Sequence, residues 1–497
     1  MTSRRSFLKV TAVGALSTMG ASSLHASEGK DATHWDRETD VLIFGGGQAG
    51  LCAAISAREN GAEALLLEKG AFLGGHTGIS GSGYYTGGSH IQKAAGIDDS
   101  IEINWKDSVD RGIKANRYIK RHTEVVRRVY EDSVEDLVWL EGLGVKFLDT
   151  LKQGIGNRLR VHYVAPGYKR GSPVLIKTMV AAAEKKGALI EKNTKLLSLI
   201  TETGLPTLGE RVVGAVVEKD GKRLNIRARK GVVLACGGFA NNPEMVERFH
   251  PYLKGVPSLG SKNNTGDGIL AALEIGANLL VENNGFGMNM LFVGTHRGQS
   301  MGLPLTEAPI IVLNKKGERF EDESKGYLAC THKMVQEKFD IANWVFDAKT
   351  EKAFRSGCLG PLFNTEVVNV YDSLDALAKG ENIDPIALKK TVAEYNEDVR
   401  KGKDRHFGRQ KLLQTIDQAP FYAFECGPRI YTSYSGLEID REARVLDTRG
   451  KPILGLYAAG DVTGHLAYQA NLGGGGISGI SCATVYGRVA GKNAAKA

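Results

Sequence analysis

Residues 40–69 read DVLIFGGGQAGLCAAISARENGAEALLLEK. An apolar run, Val41 to Phe44, passes straight into Gly45, Gly47 and Gly50 at the G-x-G-x-x-G spacing. Apolar positions at helical intervals follow (Leu51, Ala54, Ile55), then a second apolar run, Ala64 to Leu67, that ends in Glu68. The pattern predicts strand, tight turn, helix, strand, acid. Gly45 permits the turn, Gly47 lets the backbone approach a pyrophosphate, and Gly50 lets the helix pack on the strand, while the helix N-terminus faces phosphate charge. Glu68 stands where a carboxylate accepts from both ribose hydroxyls. A glycine triplet alone is weak evidence. With two strands and the acid in register, it predicts a dinucleotide site.

Working outward, the chain of 497 residues is long enough for two or three domains, and its 62 glycines fall largely in a few clusters. The first 26 residues stand apart from the fold: Arg4-Arg5, a mildly apolar run over Val10–Leu24, and Leu24-His25-Ala26 as a cleavage site. That run is too short and too polar to span a membrane. The segment predicts twin-arginine export of a protein folded around its cofactor, and a periplasmic location. Removing it lowers the formal charge from +8 to +5, a surplus suited to an anionic partner or substrate. No basic block interleaved with aromatics argues for nucleic acid. The six cysteines, Cys52, Cys236, Cys330, Cys358, Cys426 and Cys482, include no C-x-x-C pair, which excludes the usual zinc and haem-attachment spacings, and no metal site is expected. Cys52 and Cys236 lie in apolar segments and are expected to be buried. A disulfide among the others is open.

After a polar linker at 27–37, the strand–turn–helix logic recurs. KGAFLGGHTGISGSGYYTGGSH follows Glu68 and is dense enough in glycine to bring backbone N–H groups to a ligand. Helices are predicted over 117–142 and Pro173–Gly187, strands over Lys195–Ile200 and Arg211–Val217, and a β-turn at 219–222. KGVVLACGGFANN (230–242) reads as a buried strand ending at Gly237-Gly238, and Thr265-Gly266-Asp267-Gly268 stands at the mouth of a helix, where Asp267 is either a ligand group or an N-cap. From about 284 to 429 glycine turns thin out and mixed polar helices take over, one starting at Asp384-Pro385. This span reads as an inserted lid. The chain returns with GLYAAGDVTG (455–464) and LGGGGISG (472–479), then a final apolar helix over Ser481–Ala494.

The ordered set GGGQAG with Glu68, GGHT, VLACGGF, TGDG, GERFEDE, PFYAF, GLYAAGDVTG and LGGGGISG resembles the flavoprotein family of soluble fumarate reductases, urocanate reductase and 3-ketosteroid dehydrogenases, from about residue 38 to the end. The resemblance implies an α/β fold: a Rossmann-like FAD-binding domain formed by 38–283 and 430–497, with an α+β capping domain at 284–429. It implies FAD contacts at Gly45, Gly47, Gln48, Gly50, Lys69, Gly75, Ala235, Gly237, Thr432 and Gly460, with Ala49 and Glu68 holding the adenosine half. His76, Thr77 and Gly81 would follow the pyrophosphate and the ring. Asp267 and Asp461 would line the ribityl region, and Gly476 and Ile477 would donate N–H groups to the flavin, aided by the dipole of the last helix. Non-covalent FAD is favoured. A covalent link through His76 is the alternative, because wider relatives attach the flavin at a histidine in a similar context.

The chain departs from the fumarate reductases at the substrate clamp. Their acid arginine aligns with Tyr327, a clamp histidine with Tyr431, a second arginine with Asn471, and the other histidine falls near Met288. Glu307 is kept in the TEA segment, but the proton-relay arginine after it is deleted. A dianion would find too few partners in such a site, at a cost of several kcal/mol. Ketosteroid dehydrogenases instead place a catalytic tyrosine at the Tyr327 position, and a tyrosine moves a proton once its surroundings tune it from its usual pKa near 10. Tyr327, Tyr431, Asn471 and Glu307 are therefore the expected catalytic set, while Tyr84, Tyr85, Tyr431, Tyr434 and Tyr468 serve equally well as aromatic packing. The expected activity is reduction of a carbon–carbon double bond beside a carbonyl, with a small non-dicarboxylate substrate and electrons from a separate cytochrome or quinol-linked carrier. Desaturation in the ketosteroid sense is one alternative, and a non-catalytic flavin electron carrier is another.

Overall fold

The computed structural model describes residues 34–114, 123–153, 158–168, 170–203, 210–281, 286–292, 308–356, 359–363, 367–464 and 478–497. The segment expected to direct export, residues 1–26, lies outside them. The opening stretch folds as its pattern requires. Strand β1 (Arg37–Phe44) leads into helix α1 (Gln48–Glu59) and strand β2 (Ala64–Leu67), with β1 and β2 parallel and Val41 opposite Ala64. Val41–Phe44 of β1 and all of β2 are buried on both faces, so these stretches are continuous apolar runs rather than alternating ones.

Helix α2 (Thr123–Gly142) occupies the described part of the 117–142 prediction, and a helix at Ile101–Lys114, absent from the sequence reading, precedes it. Helix α3 (Gly171–Lys185) matches the second prediction. The chain then adds strands β3 (Leu189–Glu191), β4 (Thr194–Thr201), β5 (Val212–Lys219) and the long β6 (Lys222–Leu234), with the expected turn joining β5 to β6. One half of β6 pairs antiparallel with β5 and the other half pairs parallel with β1, so one strand carries both modes. Helix α4 (Asp267–Glu274) follows.

A second, antiparallel sheet comes next: β7 (Phe286–Phe292), β8 (Ile311–Leu313), β9 (Ala342–Asp347), β10 (Asn369–Tyr371) and β11 (Phe421–Ser433), in the order β7-β11-β9-β8 with β10 also on β11. Helices α5 (Tyr327–Gln336) and α6 (Pro385–Arg400) flank it. Asp384 caps α6 by accepting from the Ala387 N–H at 2.8 Å, and Pro385 fills the first turn, as the Asp-Pro pair predicts. The chain returns through β12 (Arg444–Leu446) and β13 (Pro452–Ala458) to complete the first sheet in the order β12-β13-β6-β1-β2-β3, then closes with helix α7 (Gly479–Lys496). This second sheet was not legible, because β8 and β10 are three residues each and the other strands lack a clean alternation. No described helix is long and apolar enough to cross a membrane.

Helix α7 lies across α1 at a distance only small residues allow. A Cβ on Gly487 would sit 2.4 Å from the Ala49 carbonyl oxygen, and one on Gly491 would sit 2.2 Å from that of Ala53. Four residues apart, the two glycines share one helical face and let the backbones touch. Tyr84, one of the tyrosines weighed as packing, is fully buried and donates its hydroxyl to the Ser133 carbonyl at 2.8 Å. We expect Gly491→Ala to destabilise the chain by about 1–3 kcal/mol, because backbone atoms cannot step aside. Gly142→Ala, where a Cβ meets nothing within 4 Å, should be neutral or mildly stabilising. Urea unfolding midpoints of the two variants check this.

Candidate functional site

The glycine turn is a contact between backbones. Gly45 has φ 109°, and a Cβ there would fall 2.3 Å from the Ala235 carbonyl oxygen at the end of β6. A Cβ on Gly50 would lie 1.9 Å from the Gly45 carbonyl oxygen, so α1 rests directly on the turn. Gly47 caps α1 without any side-chain hydrogen bond, and no acid occupies the first turn. The N-terminal N–H groups of this 12-residue helix are therefore left facing outward for an anion.

Glu68 is buried and fixed from three sides. Gly46 N–H donates to Oε2 at 2.9 Å, Gly70 N–H to Oε1 at 2.7 Å, and Asn263 Nδ2 to Oε1 at 3.2 Å. An ionised carboxylate accepts about four hydrogen bonds, so Oε2 keeps a lone pair for a hydroxyl. Beside it, Lys69 Nζ donates to Asp267 Oδ2 at 2.7 Å and contacts Thr265 Oγ1, which donates to Asp267 Oδ1 at 3.0 Å. Asp267 is not the cap of α4. Gly266, at φ 78°, takes that place, and the carboxylate is used by Lys69 and Thr265. Cys236, expected to be buried, is only partly so; burial, with the Asp267 carboxylate nearby, pushes its thiol up to about 12 and keeps it protonated. The five described cysteines are all free thiols, and Cys358 lies outside the described residues.

His76 is the hub of a second cluster. Its Nδ1 lies 3.0 Å from Asp461 Oδ2, and because a carboxylate only accepts, Nδ1 carries the proton. Asn264 Nδ2 lies against the same ring, 2.9 Å from Nδ1 and 3.2 Å from Nε2. Tyr431 stacks on the imidazole with ring centroids 5.1 Å apart and planes 13° from parallel. Thr432 Oγ1, next in β11, donates to Asp461 Oδ2 at 2.8 Å. Burial alone would raise the Asp461 pKa, but the hydrogen bond and charge of His76 and the Thr432 hydroxyl outweigh it and hold the carboxyl below its usual range. Gly460, at φ 78°, sets Asp461 beside α1: a Cβ on it would lie 3.0 Å from that of Ala49. Asn264 was missed in the sequence, although it sits beside the TGDG turn. A Cβ on Gly237 would come 2.4 Å from its Oδ1, so the Gly237 turn and His76 share one amide.

Of the remaining expected residues, Gly75 has φ 47° with nothing within 4 Å of a Cβ, Gly81 lies against the Tyr168 ring, and Thr77 follows His76 in a short helix at Gly75–Gly78. Glu307, Asn471, Gly476, Ile477 and Tyr468 lie outside the described residues. Tyr327 opens helix α5 directly after Gly326, at φ 90°. The turn before it is pinned by buried Glu323, which accepts from Arg319 at 2.8 and 2.7 Å and from Arg409 Nη1 at 3.1 Å. Arg319 also donates to Asp404 at 3.0 Å, and Arg409 to the carbonyls of Ile310, Lys411 and Leu412 at 2.9 Å each.

Comparison with known proteins agrees with this geometry. Residues 40–477 match the family model described as an FAD binding domain. A probable fumarate reductase, Ifc3, of Shewanella frigidimarina is 32% identical over 473 residues, covering 92% of this chain and 75% of its own. The chain belongs to this FAD-binding flavoprotein family. A vinyl phenol reductase of Lactiplantibacillus plantarum is 28% identical, over 92% of this chain and 96% of its own. Among solved structures, the open form of a flavocytochrome c3 fumarate reductase aligns with a TM-score of 0.79 at 31% identity, over 93% of this chain and 79% of its own. A 3-ketosteroid-Δ4-(5α)-dehydrogenase from Rhodococcus jostii RHA1, bound to 4-androstene-3,17-dione, aligns with a TM-score of 0.74 at 28% identity, over 94% and 99%. The protein is an FAD-dependent oxidoreductase with the Rossmann-like core and capping layer of that fold. Its own residues fit the dinucleotide: the α1 N-terminus is uncapped, Gly75 leaves open space, and Gln48 Oε1 is buried with no hydrogen-bond partner.

The Asp461 carboxyl gives a pH test. Because its folded pKa is depressed, its contribution is complete above the unfolded value, about 3.9, and is lost as pH falls through the folded one. Asp461→Asn should lower stability at pH 7, and its gap to the wild type should shrink toward pH 3. Denaturant midpoints across that range measure it.

Proposed function

We propose that this chain is a periplasmic reductase of carbon–carbon double bonds conjugated to a carbonyl or an aromatic ring, acting on substrates other than dicarboxylates. The observation that carries the reading is the commitment of the two buried arginines, Arg319 and Arg409, that hold the turn before Tyr327. Arg319 and Arg409 are consumed by Glu323, Asp404 and backbone carbonyls, so neither is left to grip a substrate carboxylate. Tyr327 and Tyr431 stand where the fumarate reductases align an arginine and a histidine, and the ring of Tyr431 is already laid flat on His76. The relative named vinyl phenol reductase supports a neutral aromatic substrate.

In this reading Gly45, Gly47, Gln48, Ala49 and Gly50 hold the pyrophosphate, and Glu68 takes the adenosine ribose. Lys69 and Asp267, with Asp461 and Thr432, border the ribityl chain. Gly75, Thr77, Gly81, Ala235, Gly237, Gly460, Gly476 and Ile477 complete the envelope. FAD, when bound, supplies the hydride. Tyr327 gives the proton at the carbon next to the activating group, and Tyr431 and Asn471 orient the substrate, with Glu307 feeding protons to that end of the site. The His76 ring is engaged by Asp461 at Nδ1 and flanked by Asn264 Nδ2, 2.9 Å from Nδ1 and 3.2 Å from Nε2, and a Cβ on Gly260 would fall 2.3 Å from Nε2. These contacts favour non-covalent FAD. Residues 38–283 with 430–497 serve as the cofactor domain and 284–429 as the lid.

Tyr327→Phe should retain its FAD spectrum and lose about 10²-fold or more in turnover of enones, cinnamate-like acids or vinyl phenols with reduced viologen. Fumarate should not be turned over by the wild type. Rapid fumarate reduction would overturn the reading.

A further inference from the structure

Exposed large apolar side chains are spread along the chain, and one group of them falls on two segments that touch. Phe72 is 86% exposed, and Ile79, Tyr168 and Val174 are each 40–51% exposed, on two segments that pack against one another. Ser80 Oγ meets Ser172 Oγ at 3.0 Å, a Cβ on Gly74 would lie 3.4 Å from Ile176, and Gly81 abuts the Tyr168 ring. The loop at 70–82 and the start of α3 thus form one surface. That surface borders the cofactor turn, since a Cβ on Gly47 would lie 3.7 Å from the Gly74 carbonyl oxygen, and His76 and Thr77 belong to the same loop.

Its charge is one-sided. Residues 70–97 and 150–183 contain no Asp or Glu. Arg170 and Lys177 are exposed at the start and on the outer side of α3, with Lys177 one turn beyond Val174. The first acid on that helix is Glu184, about two turns further on. An apolar centre rimmed by charge of one sign marks a protein-docking surface, and the sign selects the partner.

We infer that Phe72, Ile79, Tyr168 and Val174, rimmed by Arg170 and Lys177, form the docking surface for an acidic, one-electron carrier protein that reduces the enzyme. This rests on the reductase reading above. Two carrier molecules each lose one electron, and those two electrons with two protons from solvent convert one C=C bond to CH–CH. Such encounters are small, weak and steered by charge, so their rate falls as salt rises.

The test follows bleaching of the bound flavin in the full holoenzyme with no acceptor substrate, using pre-reduced flavodoxin as the acidic donor, and the same flavodoxin with its surface carboxylates amidated. The native donor should react faster than the amidated one, with a rate that falls as ionic strength rises. R170E/K177E, and the milder R170Q/K177Q with F72S, should lower that rate, by about tenfold or more for the charge reversal, while bleaching by reduced methyl viologen stays within about twofold. A salt-independent rate, or equal rates in wild type and variants, would overturn the surface. Because no acceptor is present, a patch-dependent rate combined with no turnover of any unsaturated compound would overturn the reductase reading alone.

Discussion

Everything in the cofactor half depends on backbones touching where side chains normally intervene. The Gly45 turn lies on the end of β6, Gly50 seats α1 on that turn, and Gly487 and Gly491 let α7 lie on α1. Each contact removes a Cβ layer, and together they bring several strand and helix ends to one small volume. Glu68 and His76, Asp267, and Asp461 come from three distant parts of the chain and can meet only because that volume is so compressed. A single added methyl at the centre displaces backbone rather than a rotamer, which is why the arrangement tolerates so little change.

The electrostatics follow the same economy. The site's carboxylates are each answered locally: Glu68 by two backbone N–H groups and Asn263, Asp267 by Lys69 and Thr265, Asp461 by His76 and Thr432. Such partners fix each carboxylate in place, and at Asp461 they hold the carboxyl below its usual range in spite of its burial. The cap uses the same device on Glu323, and there it has a chemical side effect. Arginines that hold the turn before Tyr327 in place are no longer available to bind anions.

The cofactor half was legible because its signals are local. Continuous apolar runs beside glycine pairs, as at 41–47 and 232–238, leave one backbone solution, and the Asp384-Pro385 start of α6 is equally local. The cap sheet was not legible, because β8 and β10 are three residues each and are held by pairing with distant strands, so nothing in their own sequence announces them. Asn264 escaped for a related reason: an asparagine next to a glycine turn reads as a turn former, and only its partner, His76, 188 positions away, makes it a site residue. Tyr431 was picked out by alignment, but its stack on His76 depends on β11 crossing that point.

Strand β11 itself joins the two regions. Its first residues, Phe421 to Phe424, lie in the cores of the second sheet; Ile430 lies in the core of the first; and Tyr431 and Thr432 reach the His76–Asp461 cluster. One extended backbone of 13 residues therefore carries load from lid to cofactor. Occupancy of the flavin pocket and firmness of the lid become a single thermodynamic quantity, because a ligand that binds only the folded form steadies whatever is continuous with its site. The empty enzyme should lose its substrate-binding shape along with its cofactor, so that chain without flavin presents a loosened lid instead of an open but competent pocket.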